Sequence, residues 1–215
     1  MIQTMIWDCD GTLVDSRAMI DLFYDGYHRL YPDRPRKDRV EFVPCHGNPD
    51  EVNFRMLNIL PQHQASFFEF CLNGSSIADH FHAFPEINQV LFQLKARGIR
   101  LGINTSRTQK TIREAQLQLK EAYDLFDFVV TSDQVSHPKP APDSLLLCQQ
   151  KAGCRKEEML YIGDQPVDQQ CAEQAGIQFV LAQWGISTPQ PFHECLKLDH
   201  PAAIFELIKN RLKDL

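Results

Sequence analysis

Five short apolar runs, each ending in small polar or acidic residues, alternate with stretches of helical periodicity over most of this chain. That alternation restricts the fold more than any single residue does. The runs are residues 2–7, 98–103, 126–130, 159–162 and 177–181, and the first four stop at Asp8, at Asn104-Thr105-Ser106, at Thr131-Ser132-Asp133 and at Gly163-Asp164. Buried strands have this form: short, apolar on both faces, closed by turn residues. Between them, residues 86–97 place Ile87, Val90, Leu91 and Leu94 on one helical face, and residues 108–119, 142–152 and 165–175 are the further crossovers. Gly98, Gly153 and Gly176 stand just past three of these helices, where a left-handed residue ends a helix. Strand–helix alternation predicts an α/β fold, a Rossmann-like parallel sheet with helices on both faces. Ligands in such sheets sit beyond the carboxyl ends of the strands, where the polar clusters fall.

Residues 15–83 break the rhythm. Phe54, Leu57, Ile59 and Leu60, then Phe67, Phe68, Phe70 and Leu72, recur at helical spacing among prolines 32, 35, 44, 49 and 61. No alternating strand is visible there. The reading is an inserted α-helical cap over 15–83, with the α/β core formed by residues 1–14 and 84–215, and with Phe67, Phe68 and Phe70 in the cap's own core. Residues 201–212, with apolar Ile204, Leu207, Ile208 and Leu212, form a last amphipathic helix.

Composition excludes several functions. A formal charge of -6 over 215 residues argues against a broad basic surface for nucleic acid. No run approaches the roughly 20 apolar residues that span a bilayer. The first ten residues reach two acids without a basic stretch, so they do not read as a signal peptide. Seven widely spaced cysteines without a C-x-x-C pair fit reduced thiols in a cytoplasmic protein. On that reading the two N-x-S/T triplets, at Asn73 and Asn104, carry no sugar.

The densest chemistry is Asp8-Cys9-Asp10-Gly11-Thr12-Leu13-Val14-Asp15. Two carboxylates two residues apart can serve one site if the chain turns directly after its strand, and Gly11 allows that turn. One carboxylate can act as nucleophile and hold a hard cation while the other moves protons. Clustered acids repel one another, so a divalent cation is expected among them. Asp15 or Ser16 can equally cap the next helix.

The pattern DxDGTLxDS after an N-terminal strand resembles the haloacid dehalogenase superfamily, in its phosphoglycolate phosphatase-like class with a helical cap. The resemblance covers essentially the whole chain and implies three further motifs, all present in order. Thr105, with Ser106, answers the hydroxyl motif, although Asn104 replaces the apolar residue usual before it; Ser106 or Thr108 can also cap a helix. Lys139, within His137-Pro138-Lys139-Pro140, answers the lysine motif. Asp164 and Asp168, in Gly163-Asp164-Gln165-Pro166-Val167-Asp168, answer the acidic motif.

The resemblance implies a phosphatase. Asp8, Asp10, Thr105 and Lys139 would be catalytic, and Mg²⁺ would be held by Asp8, Asp10 (through its carbonyl), Asp164 and Asp168. Asp168 would act through water or by orienting Lys139. Thr105, Ser106, Lys139, Arg107 at the rim, and His46 and Gly47 in the cap would meet a small phosphorylated metabolite, phosphoglycolate-like or a sugar phosphate. Asn48 and Arg55 lie in the same cap region, and Arg55 fits a solvated helix face equally well. Cys9 is expected to point into the core. Cys45-His46 lacks the partners of a zinc site.

Other readings stay open. A sugar phosphomutase of the same cap class typically has Glu before the motif's first Asp, where this chain has Gly163. An inorganic pyrophosphatase would use the positive charge of Arg107. A dehalogenase would lack Asp10. A non-catalytic binding protein would be expected to have lost one of these residues. Either a monomer or a homodimer is compatible with the sequence.

Overall fold

The computed structural model describes residues 1–48, 50–186 and 191–211; Leu212, expected in the last helix, lies outside them. In chain order the elements are β1 (Thr4–Trp7), β2 (Val14–Asp15), α1 (Ala18–Leu30), α2 (Asp50–Met56), α3 (Pro61–Leu72), β3 (His82–Ala83), α4 (Ile87–Ala96), β4 (Arg100–Asn104), α5 (Ile112–Leu119), β5 (Phe128–Val130), α6 (Asp143–Ala152), β6 (Met159–Gly163), α7 (Pro166–Ala175), β7 (Gln178–Ala182), β8 (Leu196–Leu198) and α8 (Ile204–Arg211). Six strands form one parallel sheet in the order β5-β4-β1-β6-β7-β8.

Period-two alternation divides the strand residues between two apolar layers. Met5, Trp7, Leu101, Ile103, Leu160 and Ile162 face α4, α5 and α8. Ile6, Tyr161, Phe179 and Leu181 face α6 and α7. With both faces covered, the strands read as continuous apolar runs. Cys9 is fully buried in the first layer, and all seven cysteines are free. No helix among the described residues is long and apolar enough to cross a membrane.

The helices inserted after β2 pack around their own cluster, which includes Phe23, Tyr27, Phe42, Leu57, Phe67 and Cys71. Phe23 meets Phe67 edge-on at 5.1 Å. Phe70 is not part of this cluster and is 38% exposed, as Leu60 is exposed too. At 100° per residue, Phe67 and Cys71 share the inward face of α3, Phe68 and Leu72 turn to one flank, and Phe70 turns to the other.

Three strands had no signal in the sequence. β2 and β3 are two residues each and pair antiparallel, Val14 with Ala83 and Asp15 with His82, where the chain enters and leaves the insert. β8 is a three-residue edge strand centred on Lys197, too short for a pattern and charged as edges commonly are. Helix α5 starts later than its periodicity suggests, because Thr108 and Thr111 bond each other's backbone and hydroxyls in a turn, which competes with helix formation.

Candidate active site

Parallel register brings the polar clusters to one edge. Trp7 pairs with both Ile103 and Ile162, so Asp8, Thr105 and Asp164 all emerge from neighbouring strands at the same end of the sheet. Lys139 arrives from the loop after β5. Its Nζ donates to Asp8 Oδ1 at 2.6 Å and to Asp168 Oδ1 at 2.7 Å. Asp168 sits in the first turn of α7 and also accepts the Tyr161 hydroxyl at 2.7 Å and the Gln165 backbone N–H at 3.0 Å. Asp164 accepts the Thr12 hydroxyl at 3.0 Å and the Gln165 side-chain amide at 2.8 Å.

One oxygen from each of Asp8, Asp164 and Asp168 lies within 4.8 Å of the others, and all three residues are buried. Three carboxylates here face a single ammonium. Burial, opposed by Lys139 and helped by Asp168, pushes Asp8 up to about 7. Burial and the neighbouring carboxylates push Asp164 well above the usual range. Burial alone would lower Lys139, but Asp168 and Asp8 outweigh it and raise the ammonium's pKa. A compact, buried, all-oxygen donor set that is short of positive charge fits a hard dication such as Mg²⁺.

Two glycines are required by close approach. Gly11 has φ +80, and a Cβ on it would run into the Asp164 carboxylate. A Cβ on Gly163 would lie 2.7 Å from Asp168 Cβ, Cγ and Oδ2. A glutamate before Asp164, the mutase pattern, therefore has no room in this packing.

Asp10 stands apart from the three-acid cluster. Arg107 Nε and Nη2 both hold its carboxylate at 2.7 Å, and Arg107 Nη1 reaches Glu114 at 2.7 Å and the Thr111 carbonyl at 3.0 Å. Burial would raise the Asp10 pKa, but Arg107 outweighs it and holds the carboxyl at about 2. Arg107, expected at the rim, is only 8% exposed; two carboxylates and a carbonyl compensate the cost of burying it.

Thr105 is buried, and its Oγ1 accepts the Arg107 backbone N–H at 3.1 Å, so it braces the following turn with its own O–H proton uncommitted. Asn104 is fully buried, and neither of its amide atoms has a partner among the described residues. His46 is buried and bonds Ser16 Oγ at 3.0 Å; Gly47 approaches the Gln165 side chain. Cys45 and His46 belong to no metal-competent group among the described residues. Asp15 pairs with the Arg17 guanidinium and accepts the Arg17 backbone N–H at 3.2 Å, just ahead of α1. Arg55 is exposed, and among the described residues its side chain bonds only the backbone of its own helix, at Glu51.

Between insert and sheet lies a cavity of about 380 Å³ lined by Asp10, Gly47, Asn48, Ser106 and Arg107. Phe68, Leu72 and Ile77 give it an apolar side, and Asp50, Glu51 and Glu114 an acidic one. The sequence offered no sign of those three acids, nor of Trp184, whose Nε1 donates to the Thr12 carbonyl at 3.0 Å. Thr12 and Tyr161 stood within recognised motifs, and only the folded geometry gives them partners.

A family model described as haloacid dehalogenase-like hydrolase matches residues 5–182. Pyrophosphatase PpaX of Oceanobacillus iheyensis is 27% identical over 212 residues, 97% of this chain and 94% of that protein. A HAD-superfamily hydrolase of subfamily IA from Geobacter sulfurreducens shares the structure with a TM-score of 0.70 at 25% identity, covering 96% of each chain. A predicted phosphoglycolate phosphatase from Haemophilus somnus gives 0.78 at 18% identity, covering 96% of this chain and 98% of that one. The last likeness is one of fold.

Proposed function

We propose, for a chain that belongs to the haloacid dehalogenase-like hydrolase family, that it is a Mg²⁺-dependent phosphatase hydrolysing a small phosphate monoester through an aspartyl-phosphate. The observation that carries this reading is Lys139 set between Asp8 and Asp168 beside Asp164. Asp8 Oδ attacks phosphorus, forming an acyl-phosphate bond as the ester oxygen departs. Asp10 protonates that oxygen and afterwards takes a proton from the water that cleaves the intermediate. Paired with Arg107, Asp10 is a carboxylate, the form suited to the second half; to protonate the leaving oxygen it must first release Arg107 and take up a proton from solvent or from the incoming phosphate monoanion. Lys139 and Thr105 stabilise the charge on the transferred group. Asp8, Asp164, Asp168 and the Asp10 carbonyl are the groups that would hold Mg²⁺, which supplies positive charge at the phosphoryl oxygens when bound.

Relatives named pyrophosphatase favour a second reading, in which inorganic pyrophosphate is the substrate. The direct test is hydrolysis of p-nitrophenyl phosphate. Turnover is expected with Mg²⁺ and is lost in EDTA; Asp8→Asn lowers kcat by at least about 10⁴-fold while the circular dichroism is retained. Full activity in excess EDTA, or wild-type turnover by Asp8→Asn, overturns the reading.

A further inference from the structure

The phosphatase reading leaves open what departs with the ester oxygen, and the cavity beside Asp10 bears on it. A volume of about 380 Å³ is toward the small end of ligand pockets. The cavity's charges are unequal. Asp50, Glu51 and Glu114 join Asp10 on its walls, against Arg107 and Lys110. Arg107 has little left to offer a second anion. Of its five N–H groups, four already go to Asp10, Glu114 and the Thr111 carbonyl. Lys110 is exposed. The Asp50 and Glu51 side chains have no hydrogen bond or ion pair with any described residue. Burial, with Glu51 and Glu114 close by and Arg107 opposing, pushes Asp50 up to about 6. A half-buried carboxylate that no donor or cation bonds directly among the described residues is a standing cost to the fold, and a bound cation relieves it. The second phosphoryl group of pyrophosphate, or the carboxylate of phosphoglycolate, would instead meet like charge.

Resting on the phosphatase reading, we infer that this cavity selects phosphate monoesters of small amino alcohols. The protonated amine sits toward Asp50 and Glu51, and the carbon chain lies along Phe68, Leu72 and Ile77.

The test compares kcat/KM at neutral pH for 2-aminoethyl phosphate, propyl phosphate, phosphoglycolate and pyrophosphate, with p-nitrophenyl phosphate as the reference for phosphoryl chemistry. The amine ester is expected to exceed the neutral ester by about tenfold and the anionic substrates by about a hundredfold, on the order of one and two charge–charge contacts. In the double variant Asp50→Asn, Glu51→Gln, the amine-to-carboxylate ratio falls about tenfold. A disturbance of folding alone would lower both rates together and leave the ratio unchanged. An unchanged ratio overturns the inference, as does phosphoglycolate or pyrophosphate matching the amine ester while p-nitrophenyl phosphate is turned over. Failure to hydrolyse any of them, p-nitrophenyl phosphate included, overturns the phosphatase reading and this inference with it.

Discussion

The strand-end cluster and the cap cavity are both acidic, yet their charges are handled in opposite ways. At the strand ends each carboxylate is tied down: Asp168 by Lys139, Tyr161 and a backbone N–H, Asp164 by Thr12 and Gln165, Asp8 by Lys139. In the cavity, Glu114 has Arg107, but Asp50 and Glu51 have no partner among the described residues. The first arrangement is preorganised, with donors placed before any substrate arrives. The second is incomplete and is relieved by what binds. Both sites are short of positive charge, but only at the strand ends is every carboxylate held in place by hydrogen bonds.

The largest expected effect comes from opening the hydrogen-bonded strand-end cluster. Lys139→Met leaves Asp8 and Asp168 buried without their counter-charge, and stability should fall by about 3–5 kcal/mol, read as a lower urea midpoint. A fall of under about 1 kcal/mol would mean that the lysine is not what balances these acids. Next is Gly163→Ala. Its methyl group must displace Asp168, which lowers kcat by about 10–100-fold, the size seen when a supporting contact beside a metal site is disturbed. Wild-type kinetics there would show that Asp168 can shift freely.

The smallest effect has the opposite sign and belongs to the cavity. Asp50 has its pKa raised from 3.8 to about 6. The folded state therefore holds this proton between those values, and stability is lost as pH rises through them. Asp50→Asn should be neutral near pH 4 and stabilising above pH 6, by about 1–2 kcal/mol once partial exposure is allowed for. Thermal melts at the two pH values check this. Destabilisation at pH 7 would mean that Asp50 has a compensating partner, and the contrast between the two regions would fail.

The strand-end cluster was readable from the chain because each member stands at the end of an apolar run or in the first turn after one. Asp8, Thr105 and Asp164 are set by strand length, whereas Lys139, in a loop between two prolines, was singled out only by the family resemblance. The two-residue ribbon of β2 and β3 carried no periodicity to find, and Phe70 lay on the wrong side of its helix by a rotation that spacing alone leaves undefined. Arg107 shows the limit most clearly. Its position beside Ser106 suggested a cation turned outward, whereas the fold buries it between Asp10 and Glu114.

What the amino-acid order determined here is local and periodic: which segments are strands, which polar residues cap them, and hence which acids share one sheet edge. A strand's direction and pleat follow from a few consecutive residues, so such statements survive without coordinates. What the tertiary structure decided is pairing between distant segments: Asp10 with Arg107 rather than with the other acids, Thr12 with Asp164, and Asp50 and Glu51 facing a cavity with no cation of their own. Those outcomes depend on how the inserted helices lie over the sheet. Charges brought together across that gap are close in space but far apart along the chain, where no periodic signal connects them.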